Sequence, residues 1–271
     1  MDLDAPEYLG EVEINMKDKI INWIKEYFGG NDSGVAIIGV SGGKDSTICA
    51  ALLKEAIGAN RIIAVMMPNG TQSDIDDSYA VCDYLQIPAE NRFEVNIENA
   101  FKSIKSEIYA GCSQYTIWHK STVDDNDNIN TNLPSRLRMC TLYSIAALYE
   151  GARVCNTSNA SERFIGYSTK WGDGVGDFAP LANLTVREVL AVGDALNLPT
   201  WMVHKIPSDG MSGKSDEEKL GFSYEELDAF LLENAGPGIE KEEKILRLHR
   251  INRHKTEPIP MFYGGDEECD S

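Results

Sequence analysis

The sequence lacks several features that define whole classes of protein. Its 271 residues contain no apolar run of about 18 residues, the length that a membrane-spanning helix requires. The N-terminus, MDLDAPEYLGEVEINM, is acidic and lacks the basic segment and following apolar segment of a secretory signal peptide. We therefore expect a cytoplasmic protein that has no membrane partner.

Positive charge is scarce. The chain has 25 Lys and Arg residues against 43 Asp and Glu residues, which gives a formal net charge of −18. A broad nucleic-acid surface needs clustered Lys and Arg to neutralise phosphates, so we expect no nucleic-acid partner. An anionic ligand must instead bind at a local site set into an acidic protein.

Cysteine is present, but not in patterns that bind metal or form a disulfide framework. None of the six cysteines belongs to a C-x-x-C pair, and their spacing matches no zinc site. We expect free thiols in a reducing compartment. With 42% apolar residues, the chain can bury a large core, and we expect one globular domain over residues 1–271.

Apolar segments typical of buried strands alternate with amphipathic segments typical of helices. This alternation predicts an α/β fold: a doubly wound, mostly parallel sheet with helices on both faces and a ligand at the carboxyl ends of its strands. Pro134 is expected in the first turn of a helix, and residues 159–182 are expected to form a long loop. The predicted strands are 35–40, 61–68, 92–97 and 153–158, and residues 120–130 are predicted to form a polar connection.

The segment VAIIGVSGGKDST at residues 35–47 carries the strongest functional signal. A buried strand there leads through a glycine-rich turn into a helix, and the N–H groups and dipole at a helix N-terminus bind anions. The segment is not a Walker A loop, because Ile38 and Asp45 stand where that pattern needs Gly and Ser or Thr, and it is not a G-x-G-x-x-G turn. Asp45 within a phosphate site is explained if a divalent cation bridges it to the phosphates.

SGGKDS resembles the pyrophosphate-binding loop of the N-type ATP pyrophosphatases. The later segments MPNGTQSDIDD (67–77), NLPSRLRM (132–139), residues 156–181, SDEEKLGFSYEELD (215–228) and the pair His254-Lys255 together resemble the NAD synthetases of that superfamily. The resemblance implies an adenine nucleotide alpha hydrolase-like fold and a ligase that uses Mg²⁺. Such an enzyme amidates deamido-NAD with ammonia and ATP through an NAD-adenylate, and it releases NAD, AMP and pyrophosphate.

The same resemblance implies roles for individual residues. Asp45 and Glu162 match the magnesium ligands, and with Asp173, which could guide ammonium by its charge, they form the expected catalytic set. The residues that match ATP-binding positions are Gly39, Val40, Ser41, Gly42, Gly43, Lys44, Asp45, Ser46, Thr157 and Ser208. Those that match deamido-NAD positions are Arg136, Lys170, Asp177, His254 and Lys255.

One position departs from the family pattern. Many members carry a lysine that contacts the ATP phosphates, and Val186 stands at that position here. A valine cannot make this contact. Three alternatives remain open: Arg187 replaces the lysine, Lys44 replaces it, or the enzyme works without it.

Other functions on the same fold are less well supported. A GMP synthetase is expected to carry a glutaminase domain or its own dimerisation domain, and a non-catalytic nucleotide sensor has only Val186 in its favour. A role in tRNA thiolation conflicts with the acidic charge and the missing C-x-x-C pair.

The nitrogen source and the assembly follow from the resemblance. Residues 1–34 leave no room for the amidase domain of glutamine-dependent NAD synthetases, so ammonia is the expected donor. The family forms homodimers, so we expect a homodimer here. The amphipathic segment 14–28 suits either an interface helix or an ordinary core helix.

Overall fold

The computed structural model describes residues 7–29, 34–72, 74–112, 127–204, 216–233 and 235–262. Its strands are β1 (Ala36–Gly39), β2 (Ile62–Met66), β3 (Arg92–Glu94) and β4 (Arg153–Val154). Its helices are α1 (Glu7–Tyr27), α2 (Lys44–Ile57), α3 (Ile75–Tyr84), α4 (Glu98–Cys112), α5 (Asp127–Ala146), α6 (Ala160–Ile165), α7 (Val186–Ala195), α8 (Thr200–Val203), α9 (Asp216–Leu220), α10 (Tyr224–Glu233) and α11 (Ile239–Asn252).

The four strands form one parallel sheet in the order β3-β2-β1-β4. Successive residues of a strand point to opposite faces, so Ile38 packs on one face with α1, α2 and α7, whereas Ile37 packs on the other with α5. Both faces are therefore covered by helices, which explains why the central strands are continuously apolar. The predicted α/β fold with a parallel sheet is confirmed.

A second hydrophobic cluster lies beside the sheet. It joins α6, α7, α9, α10 and α11. Ile165 links α6 to this cluster and Val186 links α7 to it, and both side chains are buried. Glu162 lies on α6, so this second cluster helps to set the position of a predicted metal ligand.

Two expectations about helices are wrong. Pro134 lies inside α5, which begins at Asp127, so it is not in the first turn, and residues 127–130 of the predicted polar connection are helical. Contacts from outside hold this end of α5, because Lys105 Nζ donates to Asn130 Oδ1 (3.1 Å) and Thr169 Oγ1 donates to Asn132 Oδ1 (2.8 Å). Proline in a helix interior normally removes a hydrogen bond and kinks the helix, and such tertiary contacts compensate.

The predicted long loop at 159–182 also contains a helix, α6. Asn159 caps it in a reciprocal arrangement: its side chain accepts from Glu162 N (2.9 Å), and its backbone N–H donates to Glu162 Oε2 (3.3 Å). Within the described residues, no helix is both long enough and apolar enough to span a membrane.

Candidate active site

The glycine-rich loop lies where β1 ends and α2 begins. Gly42 has φ +74°, and a Cβ added there would lie 2.8 Å from Asp77 Cβ, so only glycine fits without strain. Ser46 Oγ donates to Gly43 O (3.0 Å), and Thr47 Oγ1 donates to the same oxygen (2.8 Å). These bonds hold the loop against the first turn of α2. The N-cap residue, Gly43, has no side-chain cap, which leaves the N-terminus of α2 open to an anionic ligand.

A cavity of about 570 Å³ opens at the carboxyl ends of the strands, next to this loop. One part of its lining is apolar and includes Val65, Met67 and Leu142. The other part is polar, and a smaller cavity of about 180 Å³ shares residues with it. A nucleoside suits the apolar part, and phosphates suit the polar part. The predicted ATP residues that line the larger cavity are Gly39, Val40, Ser41, Gly43, Lys44, Asp45, Ser46 and Thr157.

Asp45 and Glu162 come together from two helices. Asp45 lies in the first turn of α2 and Glu162 in the first turn of α6, and both line the larger and the smaller cavity. Asn159 connects them, because its Nδ2 donates to Asp45 Oδ1 (3.3 Å) while its other groups cap α6. Lys44 Nζ lies 2.8 Å from Asp45 Oδ2 and places a positive charge beside that carboxylate.

The electrostatics of this pair favour a cation. Burial raises the pKa of Glu162 to about 8, the nearby Asp45 carboxylate contributes to the rise, and Lys44 opposes it. In the described part of the chain, no group of three or more His, Cys, Asp or Glu residues is arranged to hold a metal ion. Magnesium usually takes only one or two protein carboxylates and completes its shell with phosphate oxygens and water. Asp45 and Glu162 therefore fit a magnesium ion that arrives with ATP.

Asp173 is the third carboxylate that lines both cavities, and Asp74 lines the larger one only. Its Oδ1 accepts from Ser135 Oγ (2.6 Å) and from Thr169 N (2.8 Å), so it is held by α5 and by its own loop. Asn156 Nδ2 donates to the Asp173 carbonyl (2.8 Å) and ties that loop to the end of β4. The three predicted catalytic carboxylates thus meet in one place.

None of the five predicted deamido-NAD residues is among the described residues that line the two cavities. Arg136 Nε donates to Lys170 O (3.2 Å), and Lys170 Nζ donates to His254 O. Lys255 Nζ donates to Gly166 O (2.7 Å), and burial lowers its pKa. We call these four residues, Arg136, Lys170, His254 and Lys255, the basic patch. In the described structure, none of them lines either cavity.

Asp177 lies apart from the basic patch, at the end of β4. Its Oδ1 accepts from Tyr143 OH (3.0 Å), and its Oδ2 accepts from Val154 N (2.7 Å). Burial raises the pKa of Tyr143 to about 12, and the hydrogen bond from its OH group to Asp177 adds to the rise. Both carboxylate oxygens of Asp177 therefore already hold this edge of the sheet.

The structure distinguishes the two residues that could replace the lysine missing at Val186. Val186 is buried in the second cluster, and Arg187 Nη1 pairs with Glu233 Oε1 (2.6 Å) on the exposed side of α7. Arg187 is not among the described residues that line the cavities. Lys44 does line the larger cavity. Ser208 lies outside the described residues.

Sequence reasoning missed two residues of the site. Asn159 caps α6 and contacts Asp45, and the spacing N-x-x-E in Asn-Ala-Ser-Glu could have identified it as a capping box. Arg138 lines the larger cavity. Its only signal was its place two residues after Arg136, which did not show which arginine faces the cavity.

Comparison with known proteins shows which family the chain resembles. A family model described as NAD synthase matches residues 16–263. The NH(3)-dependent NAD(+) synthetase of Alkaliphilus metalliredigens (strain QYMF) is 35% identical over 253 residues, which cover 92% of this chain and 99% of that protein.

Solved structures of similar proteins share the fold of this chain. The structure of NMN synthetase from Francisella tularensis superposes with a TM-score of 0.79 at 28% identity and covers 93% of this chain and 99% of that one. NAD+ synthetase from Burkholderia pseudomallei superposes with a TM-score of 0.71 at 25% identity and covers 90% of each chain. The chain belongs to the NAD synthase family.

Proposed function

We propose that this protein catalyses the ATP-dependent amidation of deamido-NAD with ammonia to give NAD, AMP and pyrophosphate, through an NAD-adenylate. Membership of the NAD synthase family supports the reaction. The observation that carries it here is the meeting of Asp45 and Glu162 beside the glycine-rich loop, in a cavity with an apolar part and a polar part. This arrangement suits a nucleotide whose phosphates arrive with a cation.

The residues of the cavity account for the first half-reaction. The nicotinate carboxylate attacks the α-phosphate, and pyrophosphate leaves with more negative charge than it carried within ATP. The glycine-rich loop and the N-terminus of α2 are suited to bind that pyrophosphate. The N–H groups of Ser41 and Gly43 donate to Ser46 Oγ and Ser41 Oγ (3.3 Å each) and would turn to the pyrophosphate instead. Asp45 and Glu162 would hold a magnesium ion, which would neutralise charge on the phosphates. Thr157 lines both cavities and could contact ATP through its hydroxyl.

In the second half-reaction, ammonia attacks the adenylate carbonyl and AMP leaves. We infer that Asp173 attracts ammonium to this point, because its carboxylate lines both cavities and is held by Ser135 and Thr169. A mixed anhydride is readily hydrolysed, so the site must also exclude water during this step.

We further propose that the protein works as a homodimer. The residues of the basic patch suit the pyrophosphate and carboxylate of deamido-NAD by charge, yet they lie outside the cavity of the single chain. A substrate site completed by a second copy would explain their position. Measurement of the molar mass in solution, with and without deamido-NAD, tests this proposal.

A cytoplasmic location is part of the same proposal. Cys49, Cys82, Cys140 and Cys155 are free thiols, as expected in a reducing compartment. Localisation of the tagged full chain by fractionation tests it.

The deciding experiment is an assay of the purified protein with deamido-NAD, ATP, magnesium chloride and ammonium chloride. We expect NAD, AMP and pyrophosphate in equal amounts, and ADP would indicate a different cleavage of ATP. Replacement of ammonium by glutamine tests the nitrogen source, and we expect little NAD from glutamine. If no NAD forms at any ammonium concentration, the proposed reaction is wrong.

A mononucleotide is the second candidate substrate. The NMN synthetase from Francisella tularensis superposes on this chain with a higher TM-score than the Burkholderia NAD+ synthetase, 0.79 against 0.71. The two substrates share the nicotinate that is amidated and differ in the adenylate half. The ratio of kcat/KM for nicotinic acid mononucleotide and for deamido-NAD decides between them, and we expect deamido-NAD to be preferred.

A further inference from the structure

Arg138 is a positively charged residue of the larger cavity that the proposed reaction does not use. It lies on α5 and lines the larger cavity together with Met67 and Asp173. Its Nε donates to Met67 O (3.1 Å), and this is its only hydrogen bond within the described part of the chain. The bond fixes the guanidinium at the end of β2, and among the described residues neither terminal Nη group has a hydrogen-bond partner, so both can contact a ligand.

The charge of the cavity indicates what that ligand is. The described lining contains four carboxylates, Asp45, Asp74, Glu162 and Asp173. One of its two cations, Lys44, already pairs with Asp45. Arg138 is the other cation of the described lining. Burial lowers its pKa, and the charge of Asp173 only partly opposes this effect. A half-buried guanidinium without a carboxylate in direct contact is costly unless a ligand supplies an anion.

The alternatives for the missing lysine are weaker. Arg187 is directed to Glu233 on the far side of α7, and Val186 is buried among apolar side chains. Lys44 carries one positive charge and shares it with Asp45. Arg138 lines the cavity and forms no ion pair with a described carboxylate. Its guanidinium can also hold two oxygen atoms of one anion at once.

We propose that Arg138 is a substrate-binding residue of this site and supplies its second fixed positive charge, which residue 186, a valine, cannot supply. The anion that it binds is an oxygen-bearing group at the reacting centre. Two groups have this chemistry: the α-phosphate of ATP and the nicotinate carboxylate of deamido-NAD. This inference rests on the proposed function, because that reaction brings both groups into the cavity.

The test compares ligands that differ only in the anion. AMP carries the α-phosphate and adenosine lacks it, while deamido-NAD carries the carboxylate and NAD has a neutral amide instead. Dissociation constants for the four ligands are measured by calorimetry with the full chain in magnesium buffer. The proteins are the parent, Arg138→Gln, Arg138→Lys and the control Arg153→Gln. Arg153 is exposed, and within the described structure its side chain donates only to Ala152 O. Melting temperatures identify any variant that is not folded.

We expect Arg138→Gln to weaken the binding of one anionic ligand by about tenfold to hundredfold, the usual value of a hydrogen bond to a charged group. The neutral member of that pair should bind as it does to the parent. A selective loss for AMP identifies the α-phosphate, and a selective loss for deamido-NAD identifies the carboxylate. Arg138→Lys should recover part of the lost affinity, because the charge remains and the two-point contact does not.

Two results would overturn the inference. One is binding of all four ligands within twofold of the parent, and the other is an equal loss for the anionic and neutral members of each pair, which indicates a structural role. If Arg138→Gln does not fold, Arg138→Lys decides, because a role in binding requires a selective loss there too. If the parent binds these ligands but makes no NAD, the proposed function fails, while the ligand pairs still decide the role of Arg138.

Discussion

The cavity and the basic patch are both rich in charge, but they are organised in opposite ways. In the cavity, Asp45, Glu162 and Asp173 converge on one space, and burial and like charge raise the pKa of Glu162. In the basic patch, Lys170 and Lys255 donate to backbone carbonyls of their own chain. The cavity therefore holds unbalanced charge that a ligand would relieve, whereas the basic patch already has partners.

The two regions should therefore gain different amounts of free energy when a ligand binds. Closely spaced carboxylates are unfavourable in the empty protein, and a cation with phosphates would stabilise them. If the basic patch binds substrate as proposed, its cations exchange a carbonyl for a substrate oxygen, which gains less free energy. We therefore expect substitutions in the cavity to affect the chemical step, and substitutions in the basic patch to affect mainly substrate binding.

The largest effect is expected from the two carboxylates on α2 and α6. Asp45→Asn and Glu162→Gln should each lower kcat for NAD formation by roughly 100-fold to 1,000-fold, because each would remove a charge that holds the cation on the phosphates. Steady-state assays at saturating ATP and magnesium measure this, with Glu233→Gln on the exposed side of α10 as the control. Near-parental turnover in either variant would remove that residue from the metal site.

A smaller and more selective effect is expected in the basic patch. Arg136→Gln should raise KM for deamido-NAD about tenfold, the cost of one charged hydrogen bond, and leave KM for ATP within twofold. Kinetics with each substrate varied in turn distinguish the two constants. An equal rise in both would show that the basic patch and the cavity act as one region.

Without a bound ligand, the unfavourable charge of Glu162 should make the free energy of unfolding depend on pH. A carboxyl group whose pKa is raised by folding stabilises the protein fully below its unfolded pKa, near 4.5, and this contribution is lost as pH rises through about 8. Without ATP or magnesium, Glu162→Gln should therefore raise the free energy of unfolding by about 1–2 kcal/mol at pH 9, a value reduced because water reaches the cavity. The gain should vanish at pH 4.5.

Urea unfolding at the two pH values measures this difference. Gln at this position can still cap α6, so the change isolates the charge. Arg136→Gln serves as the contrast and should show no such gain. A Glu162→Gln protein that is no more stable than the parent at pH 9 would show that neither burial nor the nearby Asp45 makes a charged Glu162 unfavourable in the ligand-free protein.

The smallest effect is expected at Arg187. Arg187→Ala should leave kcat and both KM values within twofold of the parent and cost at most about 1 kcal/mol of stability, because its pair with Glu233 is exposed to solvent. The same assays and urea unfolding measure both. A tenfold or larger loss of kcat would restore Arg187 as the replacement for the missing lysine.

Local sequence patterns predicted much of this molecule. The apolar segments at 35–40 and 61–68 became the central strands, and Ser223, a typical N-cap residue, caps α10 by accepting from Glu226 N (3.1 Å). These features depend on a few neighbouring residues and their preferences. The strands predicted at 92–97 and 153–158 are shorter, with three and two residues. β3 pairs only with β2 in the described sheet, and beyond β4 the ladder continues only as a bridge between Cys155 and Phe178.

Pro134 and Arg138 show what such patterns leave undecided. Proline predicts a helix start only when nothing outside the helix holds the preceding turn, and here Lys105 and Thr169 contact residues in it. Arg136 and Arg138 are two residues apart, so on a helix they point to different sides. The sequence does not say which side faces a ligand.

The sequence by itself determined the glycine-rich loop, the helix that follows it and the carboxylate at Asp45, because those features are local and depend on backbone geometry. Only the tertiary structure decided that Glu162 and Asp173 join Asp45, that Arg187 turns away to Glu233, and that Arg138 lines the cavity. The physical reason is that charges and hydrogen bonds act over a few ångströms of space, whatever the separation along the chain. Arg138 reaches the carbonyl at the end of β2 only once the sheet has formed and α5 has packed against it.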